Sequence, residues 1–189
     1  SESRIVLLVA DVTGHGLPAA LDAAVVHIAF QTAVVEATGA AAILSAMNAR
    51  LIAQGIDRCV SAVCSIYDSR GQTLEVALAG HPQAIVVSRS QPLPVGDYGP
   101  LLGFSRESEY SATTVQLQSG DRLFLCTDGA YEIPESADVD EHRMFAEFLS
   151  AKSDVPLDSA LNETIEHFDK LRRHRRSDDV TLLGAEVLQ

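Results

Sequence analysis

The order of apolar segments along the 189 residues constrains this fold more than any single motif. Arg4–Ala10 is a continuous apolar run ending at Asp11, the pattern of a buried strand. Two alanine-rich stretches with helical spacing follow, Pro18–Thr38 and Ala40–Gln54, stopped by Gly39 and Gly55. Pro18 suits the first turn of a helix, where its missing N–H costs nothing. Strand-like runs at Val60–Tyr67, Thr73–Ala79 and Ala84–Ser88 read as a β-meander, with turn signals at Ser69-Arg70-Gly71 and Gly80-His81-Pro82. Thr113–Leu117 and Arg122–Cys126 read as a hairpin around Ser119-Gly120-Asp121. Asp140–Lys152 and Asp158–Arg173 read as amphipathic helices, and Val180–Leu188 as a closing strand. Helices therefore come in pairs between runs of strands, and βαβ alternation is absent. The expectation is an α+β domain of mainly antiparallel sheets with helices packed outside them.

Composition narrows the function classes. Apolar residues make up 47% of the chain, too many for a disordered segment. A formal net charge of -12 argues against nucleic acid, whose phosphates would be repelled. The longest apolar stretch, Leu17–Thr38, is broken by Asp, His, Gln and Glu, so no transmembrane segment is expected. Ser1–Ala10 has neither a basic start nor a small-residue cleavage site, so no signal peptide is expected. Three cysteines cannot pair completely. Cys59 and Cys64 are five apart in a strand-like stretch, which puts them on opposite faces. All three, with Cys126, read as buried thiols of a cytoplasmic protein.

Three acidic sites share one setting. Asp11 ends the first apolar run, Asp128 ends Leu123-Phe124-Leu125-Cys126-Thr127, and Asp178-Asp179 precede Val180-Thr181-Leu182-Leu183. A carboxylate at the end of a buried strand is costly unless paired or bound to a cation. Several converging on one spot repel one another, and a divalent metal compensates. Hard oxygen ligands favour Mg2+ or Mn2+, and the chain holds no HExxH or CxxC that would suggest zinc. Each carboxylate taken singly could instead be a turn former or helix cap.

The segment Val9–Leu21 (VADVTGHGLPAAL) closely resembles the GDVSGHG-x-PAA signature of SpoIIE/RsbU-type phosphatases, within the PPM superfamily of metal-dependent protein phosphatases. Four more segments match in order: Ala79-Gly80-His81-Pro82, GPLLG at Gly99–Gly103, GDRLFLCTDGAYE at Gly120–Glu132, and SDDVTLL at Ser177–Leu183. The resemblance covers Ile5 to Val187. It implies a four-layer αββα sandwich of two mainly antiparallel sheets flanked by helix pairs, in one phosphatase domain spanning residues 1–189. It also implies hydrolysis of phosphoserine or phosphothreonine by water activated between two Mn2+ or Mg2+ ions, with no phosphoenzyme. Asp11 would bridge the ions, the Val12 carbonyl would add a ligand, and Asp128 with either Asp178 or Asp179, of which Asp178 is preferred, would complete the first ion's shell. Glu132 would sit where the family often binds a weaker third ion. The implied partner is a phosphorylated regulatory protein of the STAS, anti-anti-sigma type, with an upstream sensor or receiver domain in the full-length protein.

The chain departs from the family in one respect. Family members carry a Gly-Gly-Asp segment before the GHG motif, whose Asp ligates the second metal, and no Gly-Gly-Asp is present here. The expectation is a fragment of a longer multidomain regulator that lacks N-terminal strands. The alternative is a pseudophosphatase that grips a partner through an incomplete metal site. His15 reads either as the general acid for the leaving serine oxygen or as a residue ordering its loop. His81 reads as structural, closing a turn. Lys170, Arg172, Arg173, Arg175 and Arg176 read as a helix C-terminus favoured by its dipole, or as a lure for a phosphorylated partner.

Overall fold

The computed structural model describes residues 3–133, 140–172 and 179–188. The described residues form four α-helices and two antiparallel four-stranded sheets, the α+β class expected. The chain divides into two compact units, 1–83 with 96–116, and 84–95 with 117–189.

The first unit holds β1 (Arg4–Val12), α1 (Gly16–Glu36), α2 (Ala40–Ala53), β2 (Val60–Asp68), β3 (Thr73–Ala79) and β6 (Ala112–Gln116), with sheet order β1-β2-β3-β6. Strand alternation divides its residues cleanly. Val6, Leu8, Ala10 and Val12 join Val60, Ala62, Cys64 and Ile66 in one core with Val26, Ala29 and Ala33 of α1 and Ile43, Leu44, Met47 and Leu51 of α2. Gly39 offers no side chain to cap α2, so the Glu75 carboxylate of β3 accepts from Ala40 N at 2.7 Å and satisfies that helix end.

The second unit holds β4 (Ala84–Ser88), β5 (Gln91–Val95), β7 (Arg122–Cys126), α3 (Glu141–Ser150), α4 (Leu157–Leu171) and β8 (Leu182–Glu186), in the order β5-β4-β7-β8. Ile85, Val87, Phe124 and Cys126 pack with Phe145, Leu149 and Phe168 from the two helices.

Three points need correction. The hairpin of Thr113–Leu117 with Arg122–Cys126 does not form: β6 pairs with β3, and β7 lies between β4 and β8. Every residue of β7 is buried, which suits a strand flanked on both sides, whereas β6 alternates exposed and half-buried residues and lies at an edge. The meander also stops after β3, because β3 and β4 belong to different sheets. The sequence reading missed β5, whose Pro92 and Pro94 argue against a strand, but β5 is an edge strand paired only with β4, where proline is tolerated. Apart from these, α1 is long and apolar enough, by length and composition alone, to cross a membrane, as core helices of its length also are. Its buried Val26, Ala29 and Ala33 pack in one core with the first sheet and α2, while Leu17, Leu21, Ile28 and Val35 are exposed.

Candidate active site

The first half of the expected site grows from β1. Its odd-numbered residues face away from the helices, and Asp11, half-buried, is the last of them. Asp11 stands directly opposite Ser61 of β2. Beyond the strand, Thr13 donates twice to the Cys59 carbonyl, through its N–H at 3.2 Å and its hydroxyl at 3.1 Å. Because Thr13 bonds inward, strand alternation turns the carbonyl of Val12 to the open edge of the sheet, where it can accept a cation. Gly14 and Gly16 take φ of +98° and +80°, so the chain can reverse sharply into α1. His15 lies between them in extended backbone, exposed, at the N-cap of α1 with no side-chain cap bond. Its imidazole therefore does not order the turn by capping.

The GPLLG segment is fixed from beneath. Buried Asn48 of α2 donates to the Ser105 carbonyl and accepts from Gly103 N, both at 2.8 Å, and Leu102 exchanges backbone bonds with Val60.

The second half grows from β7. After buried Thr127 the chain enters a single 3-10 turn, Asp128–Ala130. The Asp128 carboxylate is exposed and accepts from Gly129 N at 2.9 Å, and its carbonyl accepts from Tyr131 N and Glu132 N, both at 2.9 Å. Glu132 is thereby held one turn after Asp128, also exposed. Thr127 clasps this turn to the start of the last strand. Its hydroxyl donates to the Asp179 carbonyl and accepts from Thr181 N, both at 3.0 Å. Asp178, the preferred third carboxylate, lies outside the described residues; Asp179 is exposed.

Arg172 sits at the C-cap of α4, as the helix-end reading expects, and its Nε donates to the Phe168 carbonyl at 3.2 Å. It is buried, pairs with Asp169 at 3.2 Å, and its guanidinium donates to the carbonyls of Gly129 and Ala130. It bolts the Asp128 turn to the end of α4 and is not offered to a partner. Lys170 is exposed, and Arg173, Arg175 and Arg176 lie outside the described residues.

Among the described residues no three His, Cys, Asp or Glu side chains gather as a metal-sized group. The donor types that the resemblance implies suit a hard cation: the Asp11 and Asp128 carboxylates and the Val12 carbonyl are all oxygen. Burial, and secondarily the charge of Asp128, push the Cys126 thiol up to about 12, so on its own it stays neutral. Cys64 is likewise raised to about 12, chiefly by burial. Both are buried thiols as expected; Cys59 is only half-buried and precedes β2.

Sequence reasoning found the carboxylates but missed Thr127, Asn48, Ser61 and the bonds of Arg172 to the Asp128 turn. Thr127 carried a usable signal, a hydroxyl residue between a buried run and an aspartate. The others gain their roles from partners 20 to 57 positions away.

The chain matches the family description "Stage II sporulation protein E (SpoIIE)" over residues 1–188. No curated protein matches it by sequence. Its structure is similar to the RsbU and RsbW domains of Rv1364c from Mycobacterium tuberculosis, with TM-score 0.85 and 23% identity over 98% of this chain and 52% of that one. It is also similar to the SiaA-PP2C domain of Pseudomonas aeruginosa, with TM-score 0.86 and 21% identity over 98% of this chain and 77% of that one. The catalytic domain of the serine/threonine phosphatase PstP, solved with two manganese ions, matches at TM-score 0.66 and 18% identity over 99% of this chain and 92% of that one. The chain spans about half the length of the first of these proteins.

Proposed function

Since the chain belongs to the SpoIIE family and has the fold of PP2C-type phosphatase domains, we propose that it hydrolyses phosphoserine or phosphothreonine on a regulatory protein. One observation carries the reading. The Asp128 turn is held by Thr127 and by buried Arg172, yet presents its carboxylate to solvent. A fold that spends a buried arginine and a strand clasp on one exposed carboxylate is organised around that carboxylate.

Mn2+ or Mg2+, held by Asp11, the Val12 carbonyl, Asp128 and Asp178, would neutralise the phosphoryl oxygens and acidify the attacking water. The chain's own residues do the rest. Asp11 is carried near the end of β1 and Asp128 on the 3-10 turn that Thr127 and Arg172 hold, so their negative charge is positioned before substrate arrives. Glu132 adds a further carboxylate one turn from Asp128. His15, exposed at the start of α1 and uncommitted to the helix cap, can hold the proton that the leaving serine oxygen needs. No side chain is asked to form a phosphoenzyme.

The partner proposed is a STAS-type anti-anti-sigma phosphoprotein, and the setting a longer cytoplasmic regulator with a sensor or receiver domain. The neighbouring structures include joined RsbU and RsbW domains and a SpoIIE phosphatase domain with a fragment of its regulatory domain, which supports a regulatory setting.

The test is phosphate release from a small aryl phosphate and from a phosphorylated STAS protein, with and without Mn2+. Turnover should require the metal, and Asp128→Asn should lower it at least about 100-fold. Metal-independent turnover, or full activity in Asp128→Asn, refutes the mechanism. Tight binding of the phosphoprotein without turnover would establish the partner-gripping alternative instead.

A further inference from the structure

His81 is a buried polar residue, 1% exposed, that the proposed chemistry leaves unused. Its Nδ1 lies 2.8 Å from the Ser61 hydroxyl. Ser61 is the residue directly opposite Asp11 in the β1–β2 register. Directly opposed residues of an antiparallel pair project from the same face, with Cβ atoms about 4.5–5.5 Å apart, so the Ser61 hydroxyl is within reach of the Asp11 carboxylate.

The segment carrying His81 is itself held in place. Gly80 bridges to Ala62, the neighbour of Ser61, and donates to the Gly99 carbonyl at 2.8 Å. Gly80 has φ +62°, and a Cβ there would lie 2.4 Å from Leu101 Cδ2. A Cβ on Gly99 would lie 2.5 Å from the Leu78 carbonyl. The Ala-Gly-His-Pro and Gly-Pro-Leu-Leu-Gly segments thus interlock through two glycines, and the lock delivers the imidazole to Ser61.

We infer that His81 and Ser61 form a hydrogen-bond relay that fixes the Asp11 carboxylate, making both of them positioning residues for the metal-holding group. With Nδ1 protonated, the His81 N–H donates to the Ser61 oxygen. The single hydroxyl proton of Ser61 is then directed across the strand pair to Asp11, which as a carboxylate only accepts. Outer partners of this kind orient a ligand before the ion arrives, and their loss typically weakens metal affinity about 10–100-fold. His81 therefore does more than close the crossover between β3 and β4. The inference rests on the phosphatase reading only in taking Asp11 as a metal ligand.

The experiment measures Mn2+ affinity directly, by the loss of free-ion electron paramagnetic resonance signal, on the intact chain and five variants. Thermal stability without metal is measured in parallel. Ser61→Ala and His81→Leu should each weaken Mn2+ binding about 10–100-fold. Ser61→Thr keeps the hydroxyl, and His81→Asn keeps an amide donor where Nδ1 stands, so both should bind within about threefold of the parent. The double variant Ser61→Ala/His81→Leu should bind no more weakly than the worse single one, because a broken relay cannot be broken twice. If Ser61→Ala and His81→Leu lose thermal stability but keep parental Mn2+ affinity, the pair is structural and the relay is refuted. Multiplying losses in the double variant refute it as well. No Mn2+ binding in the parent chain overturns the metal assignment of Asp11 itself, a different result from parental binding in every variant.

Discussion

Replacing Arg172 by Met isolates what the bolt behind Asp128 is worth. The side chain is 2% exposed, so solvent screens little of its charge. Met keeps much of the apolar stem and removes the guanidinium. The carbonyls of Gly129 and Ala130 then lose their donors while still buried, at about 1–3 kcal/mol each. Asp169 loses its paired cation, and breaking a buried pair typically costs about 3–5 kcal/mol in total. Phe168 loses less, because its carbonyl retains the helical bond from Arg172 N at 3.0 Å. These costs fall on one cluster and overlap instead of adding, so the expected loss is about 3–4 kcal/mol, seen in urea unfolding. At roughly 2–4 °C per kcal/mol for a chain of this size, Tm should fall by about 6–16 °C. Arg172→Lys should recover only part, since one ammonium cannot reproduce a fork reaching two carbonyls. At a temperature where the Met variant is still folded, metal-dependent turnover should fall more than affinity for the phosphoprotein, because the turn that aims Asp128 has loosened. A loss under about 1 kcal/mol, or complete rescue by Lys, would refute the assignment of Arg172 as the support of this turn.

Thr127→Val should cost about 1–3 kcal/mol by leaving the Asp179 carbonyl and Thr181 N–H without the hydroxyl they share, and Thr127→Ser should restore most of it; equal stability of Val and Ser in urea would contradict the clasp. Asn48→Ala should cost about 2–4 kcal/mol and raise hydrogen exchange across Leu102–Ser105, since both amide contacts are lost in a buried site; unchanged exchange would contradict it. Cys64 and Cys126 should resist a thiol reagent at pH 8 while half-buried Cys59 reacts, read by mass spectrometry. Their neutral thiols ionise in the unfolded chain from about pH 9 but in the folded chain only near 12, so the unfolded state holds fewer protons in that window and stability falls as pH rises through it. The slope should be about 1.4 kcal/mol per pH unit steeper for each thiol than in a Cys64→Ala/Cys126→Ala chain, and identical slopes would refute the burial argument.

The amino-acid sequence by itself determined which segments are strands and which are helices wherever local pattern and environment agree. Thr73–Ala79, Ala84–Ser88 and Arg122–Cys126 run as their apolar spacing dictates, and glycine stops end α1 and α2 near Gly39 and Gly55. It also marked Asp11 and Asp128, because a carboxylate ending a buried run is expensive wherever the strand is placed. Pairing was not legible, since a strand's sequence records which faces are covered but not by whom. The five residues between β6 and β7 look like a hairpin loop, yet their bonds go to Val187 after β8, and β7 finds its neighbours in β4 and β8. The supports of the site were hidden for the same reason. Arg172 looks like a helix-end cation until Gly129 and Ala130 are set beside it, and His81 looks like a turn residue until Ser61 is. A side chain's chemistry is local, but whether it is solvated, or held against one particular carbonyl or hydroxyl, is decided only when distant segments fold together and exclude water.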